Sequence, residues 1–232
     1  MLEIRRSAER GRADHGWLKS FHTFSFADYY DPHWVGYGPL RVINDDRVAP
    51  GQGFGKHGHR DMEILTYILA GRLEHKDSMG NGSVLRVGDV QRMSAGTGVT
   101  HSEFNPSATE ELHFLQIWVL PEALRLAPGY EQKHFGAADK RGQLRLIATH
   151  GGEDGALLIH QDARIYAGLF DGAERADLRV ADGRRAWLQV ARGRIAVGET
   201  VLAEGDAAYA SGPAQLSLHS GTDAEVLLFD LP

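Results

Sequence analysis

The stretch Gly51-Gln52-Gly53-Phe54-Gly55-Lys56-His57-Gly58-His59-Arg60-Asp61-Met62-Glu63-Ile64-Leu65-Thr66-Tyr67-Ile68-Leu69-Ala70-Gly71 decides the fold. Ile64 to Ala70 has the length and composition of a strand, and Gly71 closes it. His57 and His59 stand at i and i+2, so on a strand they aim at one face. A second pair, His101-Ser102-Glu103, repeats that spacing. Two such strands side by side would bring three imidazoles and a carboxylate to one point. The chain has no Cys, so the donor set suits a divalent metal of intermediate softness, with iron, manganese, nickel, cobalt, copper and zinc all open. Lys56 and Arg60 flank the first pair with opposite parity and should point away.

The surroundings of both pairs follow a pattern. Gly51 stands six residues before His57 and Glu63 four after His59. Gly88-Asp89 precedes Gly96-Thr97-Gly98, which leads through Val99-Thr100 to His101, with Asn105 four residues beyond. Together these resemble the two bipartite motifs of the cupin superfamily. Three departures are visible: seven residues separate Glu63 from Gly71 where the motif has six, Ser94 stands where the motif has proline, and the Gly96 to His101 spacing runs two residues long.

The resemblance narrows to the pirin family through three segments: Phe21-His22-Thr23-Phe24-Ser25-Phe26-Ala27-Asp28-Tyr29-Tyr30-Asp31-Pro32, Leu40-Arg41-Val42-Ile43-Asn44-Asp45-Asp46 and Ser94 to Glu103. It is strong over residues 1–135 and weaker beyond, although Glu225 to Pro232 is also similar to bacterial members. It implies a bicupin, two antiparallel β-barrels of jelly-roll type. The expected division is a metal-binding barrel over 1–125, a linker over 126–139 and a degenerate barrel over 140–232. The family likeness places the ligands at His57, His59, His101 and Glu103, holding one divalent ion per chain, Fe2+ first. It also implies quercetin 2,3-dioxygenase activity, in which a flavonol and dioxygen react with release of carbon monoxide and Glu103 takes the proton of the 3-hydroxyl group.

Composition sets independent bounds. The 232 residues are 42% hydrophobic, ample for a packed core. Twenty-eight glycines, against a usual share of about 7%, indicate many short strands joined by tight turns and an all-β class. The formal charge of −6 is spread along the chain without a Lys/Arg stripe, which argues against direct nucleic-acid binding. Absence of Cys excludes disulfides, iron–sulfur clusters and thiol catalysis and fits a cytoplasmic protein. The start lacks a long apolar region, and no segment approaches membrane-spanning length, so a soluble monomer that does not engage membranes is expected.

The two halves echo one another. Ile68 to Leu73 matches Val190 to Ile195, Val84 to Asp89 matches Val201 to Asp206, and Phe114 to Pro121 matches Val226 to Pro232. Three matches in the same order argue for duplicated strand-turn units. Residues 174–186, where a second His-x-His would fall, contain no histidine, and only His219 stands near the place of His101. One histidine cannot hold a metal, so the second barrel is read as structural. Pro121 to Arg141 reads as a crossing segment with a short helical pattern at Glu122 to Leu126.

Other candidates carry less. Strand parity allows either Glu63 or Glu103 as the carboxylate ligand, and the pirin likeness favours Glu103, leaving Glu63 beside the ligands or in solvent. The aromatic segment Trp17 to Trp34 reads as outer packing more readily than as a substrate lid. His113 could line the cavity and His22 could face the metal; the other histidines read as core or surface residues. Asn105 reads as a turn anchor. Gly96-Thr97-Gly98 leads into a strand, so it is a turn and not a phosphate loop. No Gly-x-Ser-x-Gly elbow is present. Beside the dioxygenase, the pirin likeness keeps open a non-catalytic, iron-binding, redox-responsive regulator with a protein partner. A zinc-dependent sugar isomerase would need cations near the cavity that the ligand strands do not offer.

Overall fold

The computed structural model describes residues 2–232, which form two compact units. Among the described residues, strands dominate, and no helix is long and apolar enough to cross a membrane.

The unit of residues 10–134 and 157–161 holds both histidine pairs. A seven-stranded antiparallel sheet runs in the order Gly129–His134, Asp89–Ser94, Glu63–Ala70, Leu112–Val119, Leu40–Val48, Leu18–His22, Gly11–Asp14. A four-stranded sheet runs Gly53–His59, Val99–Phe104, Arg72–Asp77, Gly82–Arg86. Side chains from both sheets meet in one core: Val48, Ile68, Leu112 and Phe114 from the first against Leu73 and Leu85 from the second. Glu63–Ala70 lies between Asp89–Ser94 and Leu112–Val119 in the sheet and is buried over nearly its whole length. Gly71 makes the turn that carries the chain from one sheet to the other. It has φ +73, and a Cβ there would meet the Glu111 carbonyl at 2.6 Å, so no side chain fits.

The other unit, residues 2–9, 135–156 and 162–232, is organised by two long strands, Arg185–Val197 and Ala214–Leu231, flanked by Arg164–Phe170 and Ala207–Ser211. Val190, Ile195, Val197, Leu216, Val226 and Leu228 lie in its core. The duplication shows in the turns. Gly88 and Gly205 take φ +92 and +83, and the aspartate after each accepts a bond from the backbone N–H three residues earlier, Arg86 to Asp89 at 3.0 Å and Ala203 to Asp206 at 3.1 Å.

The division differs from the expected boundaries, and one local expectation fails. Residues 2–9 join the second unit, because Glu3–Arg5 pairs with Ala207–Ser211; Met1 lies outside the described residues. Much of the expected linker is a strand of the first unit, Gly129–His134 bonded along Asp89–Ser94. The helical pattern at 122–126 forms no helix: Arg125 has φ +63, and its N–H is held by the Asp61 carboxylate at 2.6 Å. The short helix lies at Ala137–Lys140 instead.

Candidate metal centre and cavity

The Gly53–His59 and Val99–Phe104 strands pair so that His101 lies directly opposite His57, with His59 opposite Val99. Alternation does the rest: His57 and His59 are half-buried, while Lys56 and Arg60 are exposed. The Nε2 atoms of His57 and His59 each lie 3.0 Å from Nε2 of His101. His57 donates its Nδ1–H to the Gly55 carbonyl at 2.8 Å, which leaves its Nε2 lone pair free. Burial, with His57 close by, lowers His59 to about 4; burial, with His57 and His59, lowers His101 to about 3. These two therefore present neutral nitrogens at neutral pH, beside the free lone pair of His57.

Such a set fits a metal ion on the geometry itself. Adjacent donors around an octahedral ion with bonds of about 2.1 Å lie about 3.0 Å apart. Three imidazole nitrogens face one another at this point, and Nδ1 of His101 is buried without a hydrogen-bond partner. No cysteine is present, and the donors that meet at this point are imidazole nitrogens.

A bulge in the Gly53–His59 strand sets three of its steps, from His57 back to Phe54, against the two from His101 to Glu103, while the register with Arg72–Asp77 is unbroken, so Glu103 keeps the buried face of His101. Its carboxylate lies within ligand-group range of His101 and His75 and is grouped with neither His57 nor His59. It is fully enclosed. Oε1 accepts from Gln91 at 2.7 Å and Thr66 at 3.3 Å, and Oε2 accepts from Gln116 at 3.0 Å. Burial nonetheless pushes the carboxyl up to about 7, with the three donors only partly offsetting it.

Those donors belong to a row that crosses the seven-stranded sheet at one level. Gln91 pairs with Thr66, Thr66 with Gln116, Gln116 with Asn44 and Asn44 with His22. The isolated polar positions in apolar strands were the signal for it in the sequence, but only strand order shows that they are neighbours. His75, behind His101, is stacked on Tyr130 at 4.7 Å and bonded to Asp77 at 3.2 Å.

Glu63 lies apart from the imidazoles: Ser94 donates to it at 2.9 Å, and His160 lies 3.2 Å away. Asn105 holds the turn, its amide donating to the carbonyls of Val48, Ala49 and Glu110. His113 bonds Asp45 at 2.7 Å. His219 spends its ring nitrogens on Ser220 and Gly198, and among the described residues no group of three metal-ligating side chains forms in its unit.

A cavity of about 640 Å³ opens onto His57 and His59. Its walls combine aromatic rings (Phe26, Tyr29, Phe54, Trp118) with a polar side of Ser20, His22, Asn44, Asp46 and Gln116. Trp118 packs edge-on to both His59 and Phe26, at 5.1 and 5.4 Å. The aromatic segment thus divides. Phe26 to Tyr29 contribute to the wall, Phe24 is buried, and Trp17 packs edge-on to Phe54 at 5.3 Å.

Comparison with known proteins supplies the family. The pirin family model matches residues 3–119, and the quercetinase C-terminal cupin domain matches residues 146–231. A quercetin 2,3-dioxygenase of Escherichia coli K12 is 47% identical over 232 residues, covering 100% of this chain and 99% of the relative. The crystal structure of the bacterial pirin YhhW from Escherichia coli in complex with nickel(II) superposes with a TM-score of 0.94 at 46% identity, covering 100% of this chain and 99% of that one. A quercetin 2,3-dioxygenase structure from Acinetobacter baumannii gives 0.78 at 25% identity, covering 98% and 85%. The chain is a two-cupin protein and belongs to the pirin family.

Proposed function

We propose that this chain is a metal-dependent quercetin 2,3-dioxygenase that cleaves flavonols with dioxygen and releases carbon monoxide. The observation that carries the reading is the meeting of three imidazoles, with the Nε2 atoms of His57 and His59 each 3.0 Å from that of His101, beneath an aromatic-walled cavity of about 640 Å³. That volume lies within the roughly 300–1,000 Å³ of pockets that take drug-sized ligands. The names carried by relatives at 47% and 25% identity support the same activity.

His57, His59 and His101 would hold one divalent ion, with Glu103 as the fourth ligand; Fe2+ is the proposed ion. Bound there, the ion would supply a Lewis acid for the flavonol's 3-hydroxyl oxygen and open positions for dioxygen. The protein's own part is orientation and proton control. Gln91 and Gln116 fix the two carboxylate oxygens of Glu103 and so hold its basic atoms in place for the proton. Glu103 would take the 3-hydroxyl proton and return it to the ring-opened ester. Phe26, Phe54 and Trp118 would clamp the planar rings and keep water from the reacting carbon atoms.

The test joins metal analysis to an aerobic assay. Protein loaded with Fe2+ should consume quercetin, lose its visible absorbance and release carbon monoxide; chelated protein should not. Fully loaded protein that leaves quercetin untouched would overturn the reading in favour of a non-catalytic regulatory role.

A further inference from the structure

The cavity's polar side contains one group whose bonding is incomplete. Asp46 is 3% exposed and lines the cavity that also contains His57 and His59. It lies opposite Ser20 in the strand pairing, and the Ser20 hydroxyl bonds to it. Its Oδ1 is buried and has no hydrogen-bond partner. Buried acceptors are nearly always satisfied; Asp46 borders the cavity, and a small turn of its carboxylate would bring the unpartnered oxygen to a donor held there.

The neighbours cannot provide one. Ser20 is also turned toward His22 Nδ1 at 3.4 Å, and His22 is engaged with Asn44 Oδ1 at 2.9 Å. Asp45, on the opposite face of the same strand, takes Arg10, Arg47 and His113, so Asp46 is left without a cation. The rings of Phe26, Tyr29, Phe54 and Trp118 share the cavity with this carboxyl. A planar aromatic molecule with a hydroxyl at its rim satisfies both walls. A hydroxyl also suits either form of the acid: burial, with Asp45 and Glu103 nearby, pushes Asp46 up to about 7, so neutral and ionised forms coexist near neutrality.

We propose that Asp46 accepts a hydrogen bond from a phenolic hydroxyl of the substrate other than the one at the reacting carbon, and so sets a preference for polyhydroxylated flavonols over plain ones. The proposal rests on the flavonol reading of the cavity, which it deepens.

Anaerobic titration of the metal-loaded protein tests it without turnover, using quercetin and 3-hydroxyflavone, which keeps only the reacting hydroxyl. Wild-type protein should bind quercetin the more tightly. Asp46→Leu should raise the quercetin Kd about tenfold or more, the effect of losing a hydrogen bond to a charged acceptor, and leave that of 3-hydroxyflavone within about twofold. Asp46→Asn, which keeps the shape and one carbonyl oxygen, should show the same selectivity at about threefold or more; it decides the matter if the leucine variant does not fold. Parallel losses for both ligands, no loss for either, or equal wild-type affinities would overturn the proposal. Selective binding without aerobic cleavage would leave it standing and overturn the dioxygenase reading. Failure of both ligands to bind would overturn both.

Discussion

Asp46→Asn should make the metal-free protein less sensitive to rising pH. The Asp46 carboxyl moves from 3.8 in the unfolded chain to about 7 in the folded one, chiefly because burial penalises its charge. At about 1.36 kcal/mol per pH unit, ionising it in place costs about 4 kcal/mol. The sign follows from proton counts. Between 3.8 and about 7 the folded protein holds a proton that the unfolded chain has released, so stability falls as pH rises through this window and levels off above it. From about pH 5 to about pH 8.5 the wild-type protein should lose about 3 kcal/mol through this group. Asparagine cannot ionise. Its amide will meet a site lacking an acceptor at the former Oδ1, a fixed cost of about 1–3 kcal/mol that is the same at every pH. Urea unfolding of chelated wild type and variant at both pH values isolates the titration, because the other buried groups are common to both proteins. The stability difference between variant and wild type should shift by about 3 kcal/mol in the variant's favour at the higher pH. A difference constant within about 0.5 kcal/mol would refute the placement of an ionisable, unpartnered carboxyl in that wall.

Three further outcomes are expected. His101→Ala should abolish tight metal binding by elemental analysis, since His101 is the nitrogen that both partners approach at 3.0 Å, whereas His219→Ala should leave metal content unchanged. Glu103→Gln should reduce flavonol turnover by about two orders of magnitude or more while lowering metal content modestly, and Glu63→Gln, whose contacts are Ser94 and His160, should change turnover far less. Gly96→Ala should lower the thermal midpoint, because its φ is +45 and a Cβ would collide with the Leu126 carbonyl; a midpoint shift under about 1 °C would show that the turn can relax.

How much of this was legible beforehand follows from the range of the forces involved. The parity of His57, His59 and His101 was readable because it is local: a strand repeats every two residues wherever it lies. The turn aspartates Asp89 and Asp206 were equally readable, since each bonds within three residues of itself. The loss of histidines from the second copy was plain in the same way. Glu103 marks the limit. Alternation placed it on the face of His101, where it lies, but the extra residue in the facing strand and the three donors from the opposite sheet that hold its carboxylate come only with packing. The strand Gly129–His134 was hidden for a related reason: its own residues are mostly polar or charged, and only pairing with Asp89–Ser94 makes them a strand.

The sequence by itself determined the all-β class of the protein, its duplicated strand-turn units and the three imidazoles that face one point, because strand periodicity and glycine turns act over a few residues. Tertiary structure alone decided the rest of the site. The row Gln91, Thr66, Gln116 and Asn44 is drawn from four strands far apart in the chain, and it becomes a row only when strand order and register align them. Asp46 looked like one more acid in Asn44-Asp45-Asp46. Burial beside the cavity, with its partner acid Asp45 turned to the cations on the other face, is what gives it an unpartnered oxygen and a raised pKa, and burial is a property of the packed sheets and of no segment taken alone.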